Sequence, residues 1–225
     1  MIQLLNKNYF NVKLYMWLAF ILFSAIFILF PQIDIKTSAL FFDGHSFYLK
    51  GSLFERFFYN SVKVLLTAFT LGSFGIYFYN KFTKRNILGV NGKVMLYIVL
   101  VLSIAPGLIV NATLKDHWGR ARPVQIKEFG GNKTFTPAFI LSDQNGHSFS
   151  SGHTSAAFAF VGFALLSRKR RKLWMSLAIN YGVLVSFARL IAGGHFLSDI
   201  FTSFFIVWIV THMLYKLIFK KDSAI

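Results

Sequence analysis

Three islands of polar residues interrupt a sequence that is otherwise strongly apolar. The first is Lys115-Asp116-His117-Trp118-Gly119-Arg120-Ala121-Arg122-Pro123, the second is Ser150-Ser151-Gly152-His153, and the third runs from Arg189 through His195 to Asp199. Together they hold the side chains needed to grip a phosphate and move it. Lys115 is a mobile point charge, whereas Arg122 and Arg189 are rigid forks suited to pairs of phosphate oxygens. Cations at the end of an apolar run also serve as snorkelling anchors, a role that suits one such residue better than three. Ser151 is an ordinary helix cap or, with Gly152, part of a helix start whose N–H groups face an anion. His195 and Asp199 lie four apart, so a helix starting there puts them on one face. A carboxylate accepting the imidazole Nδ1–H fixes the tautomer and leaves Nε2 free to attack. Histidine can serve as a covalent nucleophile, and His153 beside it is a candidate general acid. Gly193-Gly194 permits a close backbone approach.

The islands are separated by long hydrophobic runs, so the elements that bring them together are the next question. Of 225 residues 55% are hydrophobic and 14% charged, well below the quarter expected of a soluble domain. Apolar segments fall at about residues 14–30, 57–79, 94–114, 155–166, 173–188 and 196–219. This pattern predicts an all-α integral membrane protein of six transmembrane helices in one domain, with an active-site loop over residues 115–154. The segments 155–166 and 173–188 are short of the ~20 residues a span needs; their ends are where polar islands lie, which places those ends in a pocket rather than in lipid.

Charge sets the orientation. The N-terminus, residues 80–93, residues 167–172 and the C-terminus from residue 216 carry fourteen of the 24 Lys and Arg but one acid, Asp222. The positive-inside rule then puts both termini in the cytoplasm and all three islands at the opposite face. The net charge of +16 is thereby accounted for by topology rather than nucleic acid, with residues 80–93 and 168–172 expected to meet anionic lipid head groups. The absence of cysteine excludes disulfide, thiolate and iron–sulfur chemistry. Lys7 and Lys13 before the first apolar run resemble a signal peptide, but no small-x-small cleavage site follows, so that run reads as a retained span. The loop over residues 31–56 reads as a cover of the outer face.

Lys115-x6-Arg122-Pro123, Ser151-Gly152-His153 and Arg189-x5-His195-x3-Asp199, in that order, resemble the three-part signature of the type 2 phosphatidic acid phosphatase family. Each piece alone is weak, and the ordered set is specific. The resemblance implies that His195 forms a phosphohistidine, that Asp199 orients it, and that His153 protonates the leaving oxygen. It also implies that Lys115, Arg122, Ser151, Gly152 and Arg189 hold the phosphate, and that no metal or other cofactor is required. Ser150 stands where the family usually has Pro, and Ala188 where it usually has Ser; neither change removes a charged participant. His117, Trp118 and Arg120 are further candidates for contact with substrate.

Within the family, Trp118-Gly119-Arg120, Phe129-Gly130-Gly131 and Ser148-Phe149-Ser150-Ser151-Gly152 are most similar to the lipid A phosphatases of Gram-negative inner membranes. That resemblance implies a lipid phosphate presented in the outer leaflet, at a site facing the periplasm, with the 4′-phosphate favoured over the 1-phosphate. Undecaprenyl pyrophosphate and phosphatidylglycerol phosphate are the rival substrates. A non-catalytic protein that binds lipid phosphate is the rival of another class, and the His153/His195/Asp199 set speaks against it.

Overall fold

The computed structural model describes residues 6–10 and 12–219. Lys220, Lys221 and Asp222, which enter the charge asymmetry, lie outside the described residues. A small hairpin of β1 (Asn8–Tyr9) and β2 (Val12–Lys13), with Tyr9 opposite Val12, leads into a helical bundle. Its helices are α1 (Leu14–Leu29), α2 (Gln32–Ala39), α3 (Leu53–Thr83) and α4 (Gly92–Leu102), the last continuing as a π-helix over Ser103–Lys115. They are followed by α5 (Gly152–Phe158), α6 (Phe160–Leu166), α7 (Arg171–Ile191) and α8 (Leu197–Phe219).

Among the described residues four helices are long and apolar enough to cross a membrane: Leu53–Thr83, Gly92–Lys115, Arg171–Ile191 and Leu197–Phe219. A fifth span exists if α1 and α2, bent by 86° at Pro31, are counted together. The six expected spans exceed this count because Gly152–Leu166 is only a short apolar helix. At 1.5 Å per residue it rises ~22 Å against a hydrocarbon core of ~30 Å. Leu53, Phe57, Val64, Leu71 and Phe82 stay exposed along α3, as side chains facing lipid do.

Between the helices the core is built on Tyr97, Val101, Ala105, Phe158, Ala159 and Val207. Tyr97 donates its hydroxyl to the carbonyl of Thr211 at 3.1 Å, which satisfies the one polar atom it buries. Pro106 cannot donate to the α-helical ladder, and the chain widens to the π-helix around it. Asn111 Nδ2 donates to the Pro106 carbonyl at 2.6 Å. The widened turn ends at Lys115.

The segment of residues 31–56 packs over the end of the bundle where the islands lie. Its Phe47 packs with Ala121, Ile126, Phe129 and Phe196, so this segment is pinned to those carrying the first and third islands. On the opposite side Asn80 organises residues 80–93: Nδ2 donates to the carbonyls of Ile87 and Val90, and Oδ1 accepts from Ile87 N–H. Arg171, read from the sequence as a topology anchor, also donates to the carbonyl of Leu165 and to the Tyr215 hydroxyl, each at 2.8 Å. It thereby caps the end of α6.

Candidate active site

The π-helical end at Lys115, the start of α5, the end of α7 and the start of α8 meet at one end of the bundle, and all three polar islands meet with them. His195, 2% exposed, lies in the short link between α7 and α8. Gly193, at φ +61°, turns the chain there, and a Cβ at Gly194 would strike the Arg189 guanidinium. The two glycines therefore let the backbone carrying His195 close over Arg189.

The imidazole is oriented differently from the sequence expectation. Nδ1 lies 2.8 Å from the backbone carbonyl of Ser148 and 3.7 Å from Asp199 Oδ2, so the carbonyl, not the carboxylate, takes the Nδ1–H. The helical spacing argument fails because α8 begins at Leu197, two residues after His195. Asp199 is saturated by other donors: Ser148 Oγ at 2.6 Å, Phe196 N–H at 2.9 Å and Arg120 Nη1 at 2.6 Å. It caps the start of α8 from its third position and holds Ser148, whose carbonyl holds His195. Nε2 is left as the reactive nitrogen in either arrangement.

Arg120 is the largest correction. Proposed as a substrate contact, it is 0% exposed. Nη2 pairs with Asp34 Oδ2 at 2.8 Å, Nη1 donates to Ser198 Oγ at 2.8 Å as well as to Asp199, and Nε donates to the Thr136 carbonyl at 2.8 Å. Its guanidinium also lies 4.4 Å from the Phe196 ring centroid. Burial alone would lower the Arg120 pKa; Asp199 and Asp34 outweigh it and raise the pKa above the ordinary guanidinium value. Trp118 is partly buried and packs against Phe149, 4.8 Å between ring centroids. His117 is exposed, with Nδ1 3.2 Å from the Thr113 carbonyl.

The remaining predicted residues lie at the same end of the bundle. Arg189 is buried; Nη1 pairs with Glu55 Oε1 at 3.1 Å, while Nε has no hydrogen-bond partner among the described residues. Lys115 Nζ lies 3.5 Å from Asn111 Oδ1. Arg122 and Arg189 both act electrostatically on His195, and with Lys115 they act on His153. Ser151 Oγ accepts from Thr154 N–H at 3.4 Å, the capping role, and its carbonyl accepts from Ser203 Oγ at 3.0 Å. Gly152 is required by the approach of Asn111: a Cβ there would lie 2.6 Å from Asn111 Oδ1. Burial lowers the His195 pKa to about 4; Asp199 opposes that, and Arg189 and Arg122 add to it. His195 is therefore a neutral imidazole at neutral pH, the form with a lone pair to attack.

Four functional positions escaped the sequence reading. Glu55 and Tyr59 reach the site from α3, Asn111 from the π-helix and Asp34 from α2. A sequence signal existed for Glu55 alone, as the fourth residue of Ser52-x-x-Glu55 before an apolar run, the pattern of a capping box; Ser52 Oγ does accept from Glu55 N–H at 3.2 Å. An open groove of about 480 Å³ lies away from this site, lined by Arg171, Lys172, Met175, Ser176, Ile179 and Asn180. It sits at the other end of α7 from Arg189, ~27 Å along the helix, and has no part in the chemistry. Among the described residues no group of three His, Cys, Asp or Glu side chains is placed to hold a metal ion.

Comparison with known proteins identifies the family. The family model described as PAP2 superfamily matches residues 96–223. A lipid A 4′-phosphatase of Francisella tularensis subsp. novicida is 32% identical over 88% of this chain and 91% of its own length. Lipid A 4′-phosphatases of Rhizobium etli and Rhizobium leguminosarum are 37% and 36% identical, each over 44% of this chain and over 40% and 44% of their own lengths. No solved structure matches significantly. The family match spans more than half of the sequence, and the chain accordingly belongs to the PAP2 superfamily, as a membrane phosphatase and a phosphoric monoester hydrolase.

Proposed function

We propose that this phosphatase removes a phosphate from lipid A, the 4′-phosphate in preference to the 1-phosphate, through a phosphohistidine on His195. The observation that carries the mechanism is the setting of the His195 ring: Nδ1 is anchored on the Ser148 carbonyl, and the Arg189 guanidinium lies against Gly194, the residue just before His195. The substrate reading is supported by the likeness to proteins named for lipid A 4′-phosphate removal.

Phosphoryl transfer is mostly positioning and neutralisation of oxygen charge. Lys115, Arg122 and Arg189 neutralise the phosphate oxygens, with Ser151 and Gly152 adding backbone N–H groups. Nε2 of His195 attacks phosphorus in line, and the bond to the ester oxygen breaks. His153 gives its proton to that oxygen, and the arriving dianion favours the protonated imidazole this requires. Neutral His153 then takes a proton from water as its oxygen attacks the phosphohistidine. Inorganic phosphate leaves and His195 returns to its starting state. All charge neutralisation in this scheme comes from side chains, so turnover should persist in EDTA; an absolute need for a divalent ion would overturn it.

We place both termini in the cytoplasm of a Gram-negative cell, the six apolar segments across the inner membrane and the site at the periplasmic face. There it meets substrate in the outer leaflet, while the basic residues of 80–93 and 168–172 meet anionic lipid on the other side. Mass spectrometry of lipid A from cells expressing the wild type or His195→Ala tests the substrate. Loss of one phosphate only with the wild type is expected, and fragmentation shows which end lost it. Unchanged lipid A alongside dephosphorylated undecaprenyl pyrophosphate or phosphatidylglycerol phosphate would move the protein to that rival substrate.

A further inference from the structure

The face that α3 turns toward the site carries two residues outside all three polar islands, Glu55 and Tyr59. Four apart, they lie one above the other on the first turns of the helix. The Tyr59 ring is stacked on the His153 imidazole, with centroids 4.1 Å apart and planes inclined by 25°. The Arg189 guanidinium carbon lies 4.9 Å from the centroid of the same ring, and Glu55 holds Arg189 in place through its Nη1. Tyr59 is thus in contact with both the candidate general acid and a candidate phosphate-binding cation.

We propose that Tyr59 is a positioning residue that holds His153 in the pose from which it acts as general acid and favours its protonated form. Burial, and after it the neighbouring Arg189, His195, Lys115 and Arg122, hold the His153 pKa down to about 4; an aromatic face attracts a cation, so the ring opposes that shift and favours the imidazolium the step needs. Stacking also fixes the plane in which the N–H points. The step it serves is the breaking of the bond between phosphorus and the ester oxygen, in which the proton of imidazolium passes to that oxygen and His153 is left neutral. This inference rests on the reading of His153 as the general acid.

A split between leaving groups tests it. An alkyl phosphate such as short-chain lysophosphatidate needs its departing oxygen protonated, whereas p-nitrophenyl phosphate releases a stable anion and does not. In the detergent-solubilised full-length protein, His153→Ala should lose at least ~100-fold more kcat/KM, which reports the steps up to phosphohistidine formation and not the shared hydrolysis, on the alkyl ester than on the aryl ester. Tyr59→Leu should show the same split at about tenfold, and Tyr59→Phe should restore both activities. Pentafluorophenylalanine incorporated at position 59 keeps the shape of the ring but reverses the sign of its face. It should reproduce the split, and it serves as the test if the leucine variant does not fold. Equal losses on both esters, or no loss, in the position-59 variants while His153→Ala retains its split would overturn the role of Tyr59 and leave His153 as the acid. Absence of the split in His153→Ala would overturn the general-acid reading and this inference with it.

Discussion

Arg120 shows how a residue in the middle of a binding motif can serve the site without touching what is bound. Its guanidinium joins Asp34 of α2 to Asp199 of α8 with no solvent on any of the three. A buried pair broken by removing one partner leaves an uncompensated charge, at a cost of about 3–5 kcal/mol. Arg120→Met should therefore lower the thermal unfolding midpoint markedly, and a variant as stable as the wild type would contradict the network. The sequence marked Lys115, Arg122, Arg189, His153, His195 and Asp199 because charged residues in apolar surroundings stand out. It set Arg122 apart through the Lys-x6-Arg-Pro spacing but still offered Arg120 as a substrate contact, because both lie in the same island and only folding buries one of them. The imidazole of His195 follows the same physics of burial. Its folded pKa of about 4 lies below the ordinary histidine value of 6.5, so its contribution to stability is present above about pH 6.5 and declines as the pH falls toward 4. Nitrogen NMR of histidine-labelled protein, assigned with His195→Gln, should find this ring neutral at pH 5.5; a protonated ring at that pH would contradict the described burial.

At the scale of elements, the apolar runs marked the helices to within a few residues: 14–30 against Leu14–Leu29, 94–114 against Gly92–Lys115, 196–219 against Leu197–Phe219. What they concealed was local departure from α-helical form. The start of α8 at Leu197 removes His195 from the helix, and with it the spacing argument for a direct bond to Asp199. The π-helix at Pro106 turns Asn111 toward both Lys115 and Gly152, a contact between separate islands that no spacing pattern encodes. Asn111 is itself held on the Pro106 carbonyl and cannot easily swing away. Gly152→Ala should accordingly destabilise the protein by about 1–3 kcal/mol and weaken phosphate binding through Lys115. In the double variant with Asn111→Gly the stability loss should fall short of the sum of the two single losses, since the clashing atom is gone. Additive losses in urea or thermal unfolding would refute the contact.

On the scale of the whole molecule, one polar end and a long apolar body follow from the order of the islands along the chain. Each island lies in an odd-numbered connection between apolar runs, so an up-and-down bundle must bring them to one side. The helices themselves set a limit: four are long enough to cross alone, and five with the bent pair. Placing the site at the periplasmic face rests on charge asymmetry, and a protease-cleavable tag tests it. A tag at the C-terminus should be protected in spheroplasts and cleaved after permeabilisation; cleavage in intact spheroplasts would invert the orientation. The contribution of α3 to the site, by contrast, was hidden in the sequence, since Glu55 and Tyr59 precede the first island by more than fifty residues and approach it only through the packing of α3 against α5 and α7.

Every role assigned to these residues depends on His195 forming a bond to phosphorus. Purified protein mixed for milliseconds with ³²P-labelled lipid phosphate and quenched in alkali measures this directly. The wild type should carry an alkali-stable, acid-labile label on the peptide containing His195, and His195→Ala should carry none while remaining folded. A label on any other residue, or full turnover by His195→Ala, would contradict the account.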